Sequence, residues 1–333
     1  MIKNQTLFAF LFKGPVVAAL VGLPAALSAQ DAWFPSKYGQ QDTLAAANNL
    51  SASHVLKASR LITQGKVYSL GVDISSESPP LPSGPREYKL SLVQPAKGAA
   101  GTLAHHANGK GITQGANKLT ANADFLTIWM GIGTQIEGLG HIGIDNLYYN
   151  GVDASDFVTG NGVTKYSIHE VPPIVSRAVL LDIAAVTGKA SLPGGYAISA
   201  EEIQLAEESA GIRVEEGDVV LIHTGWLASE KEVKQSYGGK QPGLGVAAAL
   251  YLADKNIVAI GADNDGVEAI PAEDPNNAFP VHTELITKNG IYLMENVWLD
   301  ELARDKATEF LFVLGQPKFV GAVQAVVNPI AIR

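Results

Sequence analysis

The chain has 333 residues, 47% hydrophobic and 17% charged, with a formal net charge of -9; that is ample for a large core and too few charges for a disordered chain. With a pI of about 5.3 and no basic stripe, it is not expected to bind nucleic acid or to be drawn to anionic membrane surfaces. Cysteine is absent, which excludes disulfides, thiolate zinc sites and cysteine nucleophiles, so any metal must be held by His, Asp, Glu, Gln or water.

The first residues, MIKNQTLFAFLFKGPVVAALVGLPAALSAQ, carry Lys3 and Lys13, an apolar run from Pro15 to Leu27, then Ser28 and Ala29. This predicts a secretory signal peptide over 1–29, a mature chain starting near Gln30, and a periplasmic or secreted protein. No later segment has the 18 or so uninterrupted apolar residues of a membrane span. LSASHVLKASRLITQG (50–65) reads as a helix capped by Ser51 or Ser53, with a stripe of Val55, Leu56, Ala58, Leu61 and Ile62 and a stop at Gly65. A strand is predicted over 66–74, a proline-rich loop over 75–85 and an alternating strand over 86–94. Residues 98–118 form a glycine-rich excursion of the kind that flanks a site. A strand over 123–138 runs into GTQIEGLGHIG (133–143).

RAVLLDIAAV (177–186) is nearly all apolar and predicts a strand buried on both faces. SAEEIQLAEESAG (199–211) predicts a helix with Ser199 as cap, Glu201 and Glu202 in the first turn and Gly211 as stop. Further strands are predicted at 217–226 and 257–265, with a helix at 244–256 between them. Residues 279–302 read as helix, turn at Asn289-Gly290 and a strand ending near Glu295, and 308–319 as a late strand. Strands and helices mix without strict repetition, which predicts one compact α/β domain over 30–333.

Signatures of serine hydrolases, zincins, P-loops and dinucleotide-binding folds are missing; in GIGTQIEG, Ile136 stands where a third dinucleotide-loop glycine would be. What remains is a set of polar side chains in apolar strands. Gln135 and Glu137, two apart, share a face if the chain is extended. His141 follows, and His282 and Glu295 sit in a later apolar segment. A carboxylate in such a run is costly unless paired or metal-bound, and this donor set suits Zn²⁺ or Mn²⁺. The residues alone leave another reading open: Gln135 tying down a loop, Glu295 paired with an arginine such as Arg177. Of the seven histidines, His54 is expected on a solvated helix face and His105-His106 in the glycine-rich loop. His169 and His223 are ambiguous, HTGW (223–226) reading as structural with Trp226 as packing.

The chain resembles the cyclase family of metal-dependent hydrolases, which includes bacterial kynurenine formamidase and isatin hydrolase. The family's His-x-Gly-Thr-His-x-Asp-x-x-x-His run stands here as Gly131-Ile132-Gly133-Thr134-Gln135-Ile136-Glu137-Gly138-Leu139-Gly140-His141. NNLSASHVLKASRLITQGKVYSLG, RAVLLDIA, GDVVLIHTGW, IGADNDGVE and VHTELITKNGIYLMENVWLDEL are also family-like, so the likeness spans most of 40–333. The departures are specific: the family's first histidine is Gly131, its second Gln135, its aspartate Glu137, while His141 is unchanged.

The resemblance implies a swivelling β/β/α fold, a homodimer or larger assembly, and a hydrolase of small amides, arylformamide or cyclic. It implies one divalent ion, Zn²⁺ or Mn²⁺, on Glu137, His282 and Glu295, with Gln135 as fourth ligand or water-orienting group and His141 as general acid/base. A lactone hydrolase of the same family and a non-catalytic periplasmic binding protein on the same fold are the alternatives.

Overall fold

Val219–His223 carries four successive apolar side chains, and every residue of the strand it forms is buried. Val219 and Leu221 enter one apolar cluster and Val220 and Ile222 another, as the alternation of side chains along a strand requires. A strand with two apolar faces needs cover on both sides, and the rest of the chain supplies it. The computed structural model describes residues 33–78, 87–92, 116–118, 122–229 and 239–333.

Besides six strands of two residues, the described residues form β1 (Val67–Ser69), β2 (Tyr88–Leu92), β3 (Asp124–Ile128), β4 (Gln135–Glu137), β5 (Ile174–Asp182), β6 (Val219–His223), β7 (Ala259–Ala262), β8 (Tyr292–Glu295), β9 (Glu309–Leu314), β10 (Gln324–Val326) and β11 (Ile330–Ile332). Strands β2 and β3 pair as a separate antiparallel ribbon. The others form a nine-stranded sheet in the order β1-β11-β9-β5-β6-β7-β8-β4-β10. Neighbours from β5 through β8 are parallel and the remaining pairs antiparallel.

The α-helices among the described residues are α1 (Ala52–Ser59), α2 (Ile183–Val186), α3 (Ala200–Ala210), α4 (Val246–Ala253), α5 (Pro280–His282) and α6 (Asp300–Arg304). One face of the sheet packs on α3 and α4 through Ile203, Ala206, Ala248, Ala249 and Leu252. The other is covered by Ala45, Ala47, Tyr149, Phe157 and Tyr166. Residues 33–333 form one unit, the single α/β domain read from the sequence.

Several elements match their sequence signals. The Ser199 hydroxyl accepts from the Glu202 amide while the Glu202 carboxylate accepts from the Ser199 amide, and Gly211 ends α3 at φ +68°. Other expectations are corrected. The helix read over 50–65 stops at Ser59; Val55 and Leu56 of its apolar stripe are exposed, and of the stripe Ala58 alone is buried. The strand read over 66–74 shrinks to β1.

The strand read over 123–138 is two, β3 and β4, because Gly133 at φ +66° breaks the extended backbone between them. The apolar run 177–186 leaves the sheet at Asp182, whose carboxylate accepts from the Ala185 amide at 3.0 Å and starts α2; an all-apolar run carries no period that could mark that switch. The segment 1–29, residues 98–115 with His105 and His106, and most of the proline-rich loop lie outside the described residues.

Candidate metal centre

Strand β4 lies between β8 and β10, with Gln135 opposite Glu295 and Glu137 opposite Gln324. Ile136 points into the core and is fully buried, so Gln135 and Glu137 turn together to the other face, as their spacing predicts. Thr134 fixes the start of this strand: its hydroxyl donates to the Asn296 carbonyl at 2.5 Å and its carbonyl accepts from the Val327 amide at 2.9 Å.

Glu295 ends β8, and Asn296 after it takes a left-handed φ of +52°. Residues that adopt this region are often Asn, whose short polar side chain bonds locally; here the amide donates to Asp265 Oδ1 at 2.9 Å. His282 closes α5 with its Nδ1 against Glu268 Oε1. Its Nε2 faces Glu137 Oε2 at 3.4 Å and Glu295 Oε1 at 3.6 Å. Glu137, His282 and Glu295 thus converge from three elements, each buried. Gln135 joins them, its amide nitrogen on Glu295 Oε2 and 3.4 Å from Glu137 Oε1. His141, with a quarter of its side chain exposed, places Nε2 3.3 Å from Glu137 Oε1.

Two participants were missed by sequence reading. Glu268 accepts from the Val281 and His282 amides, each at 3.2 Å, besides holding the His282 ring. It lies in IGADNDGVE, where a carboxylate in a family-like stretch was the available signal. Gln324 donates to Glu137 Oε1 at 3.0 Å and lies 3.3 Å from His141 Nε2; β10 is three residues long and gave no periodic signal. Glu295 does not meet Arg177, which instead grips Asp218 at 2.9 and 2.6 Å and reaches Glu309 at 3.3 Å.

The electrostatics call for a cation. Glu137, Glu268 and Glu295 are 2%, 1% and 6% exposed, and burying three carboxylates beside one fully buried imidazole is costly. Burial, and next the charge of Glu137, push the Glu295 carboxyl up to about 8. Burial also opposes ionisation of Glu137, but the His141 and His282 imidazoles hold its carboxyl well below the carboxylate range. Burial opposes protonation of His282, yet Glu137, Glu268 and Glu295 raise its pKa well above the ordinary imidazole value.

Glu137 Oε2 and Gln135 Oε1 are buried acceptors without a hydrogen-bond partner. Ligands about 2.1 Å from a tetrahedral ion lie about 3.4 Å apart, close to the 3.4 and 3.6 Å found from His282 Nε2 to the two carboxylates. The residues present fit a divalent ion.

Gly131 has no side chain to offer; a Cβ there would lie 2.7 Å from Trp129 Nε1 and 3.2 Å from Gln135 Oε1. The Trp129 indole takes the room a larger residue would need. The other histidines stand elsewhere. His54 is half-buried on α1 rather than fully solvated, its ring packed over Gly217. His169 bonds the Ser167 hydroxyl at 2.8 Å. Trp226 is buried as expected, but His223, at the end of β6, faces three carboxylates, Asp182 at the end of β5, Asp263 just after β7 and Asp300 at the start of α6, rather than acting as plain packing.

The crystal structure of a novel cyclase superposes with a TM-score of 0.76 at 28% identity, over 89% of this chain and 96% of that one. Isatin hydrolase A from Labrenzia aggregata bound to benzyl benzoate has a TM-score of 0.58 at 17% identity, over 80% and 93%. Isatin hydrolase A from Ralstonia solanacearum has 0.58 at 18%, over 85% and 97%. These last two are likenesses of fold. No curated protein matches the chain. The family described as "Putative cyclase" matches residues 53–269, and the chain belongs to this Cyclase family.

Proposed function

We propose that this protein is a metal-dependent hydrolase of a small amide, an arylformamide or cyclic amide, with the ion on Glu137, His282 and Glu295. The observation that carries the reading is the pair of buried acceptors, Glu137 Oε2 and Gln135 Oε1, left without partners beside a second carboxylate and an imidazole. A divalent ion bound there supplies Lewis acidity, activating water and polarising a substrate carbonyl. The protein's own groups do the rest. Gln135 is fourth ligand or water-orienting group, its amide nitrogen on the two carboxylates.

Glu268 fixes the His282 ring so that Nε2 faces Glu137 and Glu295. His141 moves the proton: its Nε2 takes one from the attacking water as the C–O bond forms. It returns that proton to the leaving nitrogen as the C–N bond breaks. Gln324 holds His141 Nε2 and Glu137 Oε1 together and so sets the imidazole's direction.

A cyclic ester would meet the same groups, with oxygen as leaving atom, so lactones are the second substrate class. Purified chain assayed on a panel of small amides and lactones, with metal analysis alongside, tests the reading. Turnover that disappears with the bound metal in Glu137→Ala supports it; turnover in metal-stripped protein overturns it. The proposal includes export of the mature chain from near Gln30 and self-assembly into a dimer or larger. N-terminal sequencing of periplasmic protein checks the first, and an intact Met1 would refute it; a monomer by size-exclusion with light scattering would refute the second.

A further inference from the structure

A second cluster stands at the carboxyl ends of the parallel strands, the edge where α/β sheets place their ligands. His223 closes β6 and pairs in register with Asp182 at the end of β5. Asp263 follows β7, and Asp300 opens α6. Asp182 Oδ1 sits 2.8 Å from His223 Nδ1. The other ring nitrogen, Nε2, faces Asp300 Oδ1 at 3.3 Å and Asp263 Oδ2 at 3.9 Å. These three ligand atoms lie within 4.8 Å of one another.

Asp263 is the telling residue. It is fully buried, and its Oδ1 accepts from both the Thr224 amide and the Thr224 hydroxyl, at 2.8 and 2.6 Å. Those two bonds lock the carboxylate and leave Oδ2 aimed at His223 without any hydrogen-bond partner. A buried carboxylate oxygen with nothing to accept is costly. Asp182 on Nδ1 completes the carboxylate–imidazole pairing that orients metal-binding histidines and raises their basicity. Asp300, about a third exposed, leaves a way in from solvent.

We propose that His223 Nε2, Asp263 Oδ2 and Asp300 Oδ1 form a second divalent-cation site, distinct from the Glu137–His282–Glu295 centre, that ties the start of α6 to the ends of β6 and β7. One imidazole and two carboxylates are ligands for a first-row ion such as Zn²⁺ or Mn²⁺. The ion displaces the imidazole proton at Nε2, while Asp182 keeps the proton on Nδ1. The spacings of 3.3 and 3.9 Å bracket the roughly 3.4 Å expected between ligands of a tetrahedral ion.

The test counts bound ions on the full chain after chelator treatment, with Mn²⁺ and again with Zn²⁺ at millimolar free ion, in wild type, Glu137→Ala and Asp300→Ala. Two ions in wild type and one in each variant is the expected result. One ion in wild type, one in Glu137→Ala and none in Asp300→Ala keeps this site and removes the proposed catalytic one. Glu137→Ala that binds neither ion, or Asp300→Ala that keeps the wild-type count, overturns the second site. If Asp300→Ala fails to fold, the Glu137→Ala count decides alone. A further readout is Tm: added ion should raise it in Glu137→Ala, because an ion bound only by the folded chain stabilises it.

Discussion

Glu268→Gln is a small perturbation with a sharp consequence. Glu268 is 1% exposed, and both its oxygens accept: Oε2 from the Val281 amide, Oε1 from the His282 amide and, in the ring, from Nδ1. A glutamine supplies one carbonyl oxygen and one NH₂. Either way round, an NH₂ is set against a buried N–H, and a buried donor left unpaired costs about 1–3 kcal/mol. The negative charge behind the imidazole is also lost, and removing such a partner weakens metal binding about 10- to 100-fold. That is about 1.4–2.8 kcal/mol at 1.4 kcal/mol per tenfold, in line with the hydrogen-bond figure.

The expected result is therefore a folded protein whose Kd for Zn²⁺ at the Glu137–His282–Glu295 centre rises about 10- to 100-fold. Competition with a chelator of known affinity measures it, in an Asp300→Ala background so that one site is read. A Kd within about twofold of the parent would show that Glu268 does not set the His282 ring, and the ligand geometry would need another explanation.

His141→Ala should keep its metal and its fold while kcat falls about 10²- to 10⁴-fold, the loss usual for a general acid/base. Steady-state kinetics with metal content check it; unchanged kcat removes His141 from the mechanism, and loss of metal makes it a ligand. In the metal-free protein Glu295 is held up to about 8 from 4.5, so the folded chain keeps that proton more tightly than the unfolded one. Its contribution to stability is whole below about pH 4.5 and is lost as pH rises through about 8. Thermal melts of chelator-treated protein should show Tm falling across that window, and Glu295→Gln should flatten the slope; an equal slope in the variant would refute the assignment.

The legible parts of the chain are those where one local rule decides. Ser199, Glu202 and Gly211 announce α3 because capping and a left-handed stop are local chemistry. The Gln135–Glu137 spacing gives a shared face because any extended segment alternates. What was not legible depends on partners far along the chain. Gln324 matters only because β10 pairs with β4 in a register that sets it opposite Glu137, and three residues carry no periodic signal. The exposed Val55 and Leu56 of α1 look like core in sequence, because helical spacing shows which side chains share a face and not what that face meets. Asp182 ends a buried strand and begins a helix in the same apolar run, so only its carboxylate, and not hydropathy, marks the change.

The segment after β7 binds the two clusters together. Asp263 serves one; Asp265, through Asn296, and Glu268, through His282, serve the other. Between them Val267 holds φ +61°, an outlying conformation for a β-branched residue. It is fixed by its own burial and by its amide, which donates to Asn264 Oδ1 at 2.7 Å. Such a backbone costs on the order of 1–3 kcal/mol and persists only where its surroundings over-determine it. The turn is stiff for that reason, and it sets Asp263 and Glu268 at fixed positions relative to each other. Substitutions from 263 to 268 should therefore shift the affinities of both centres together, whereas Glu137 and Asp300, on separate elements, should act independently.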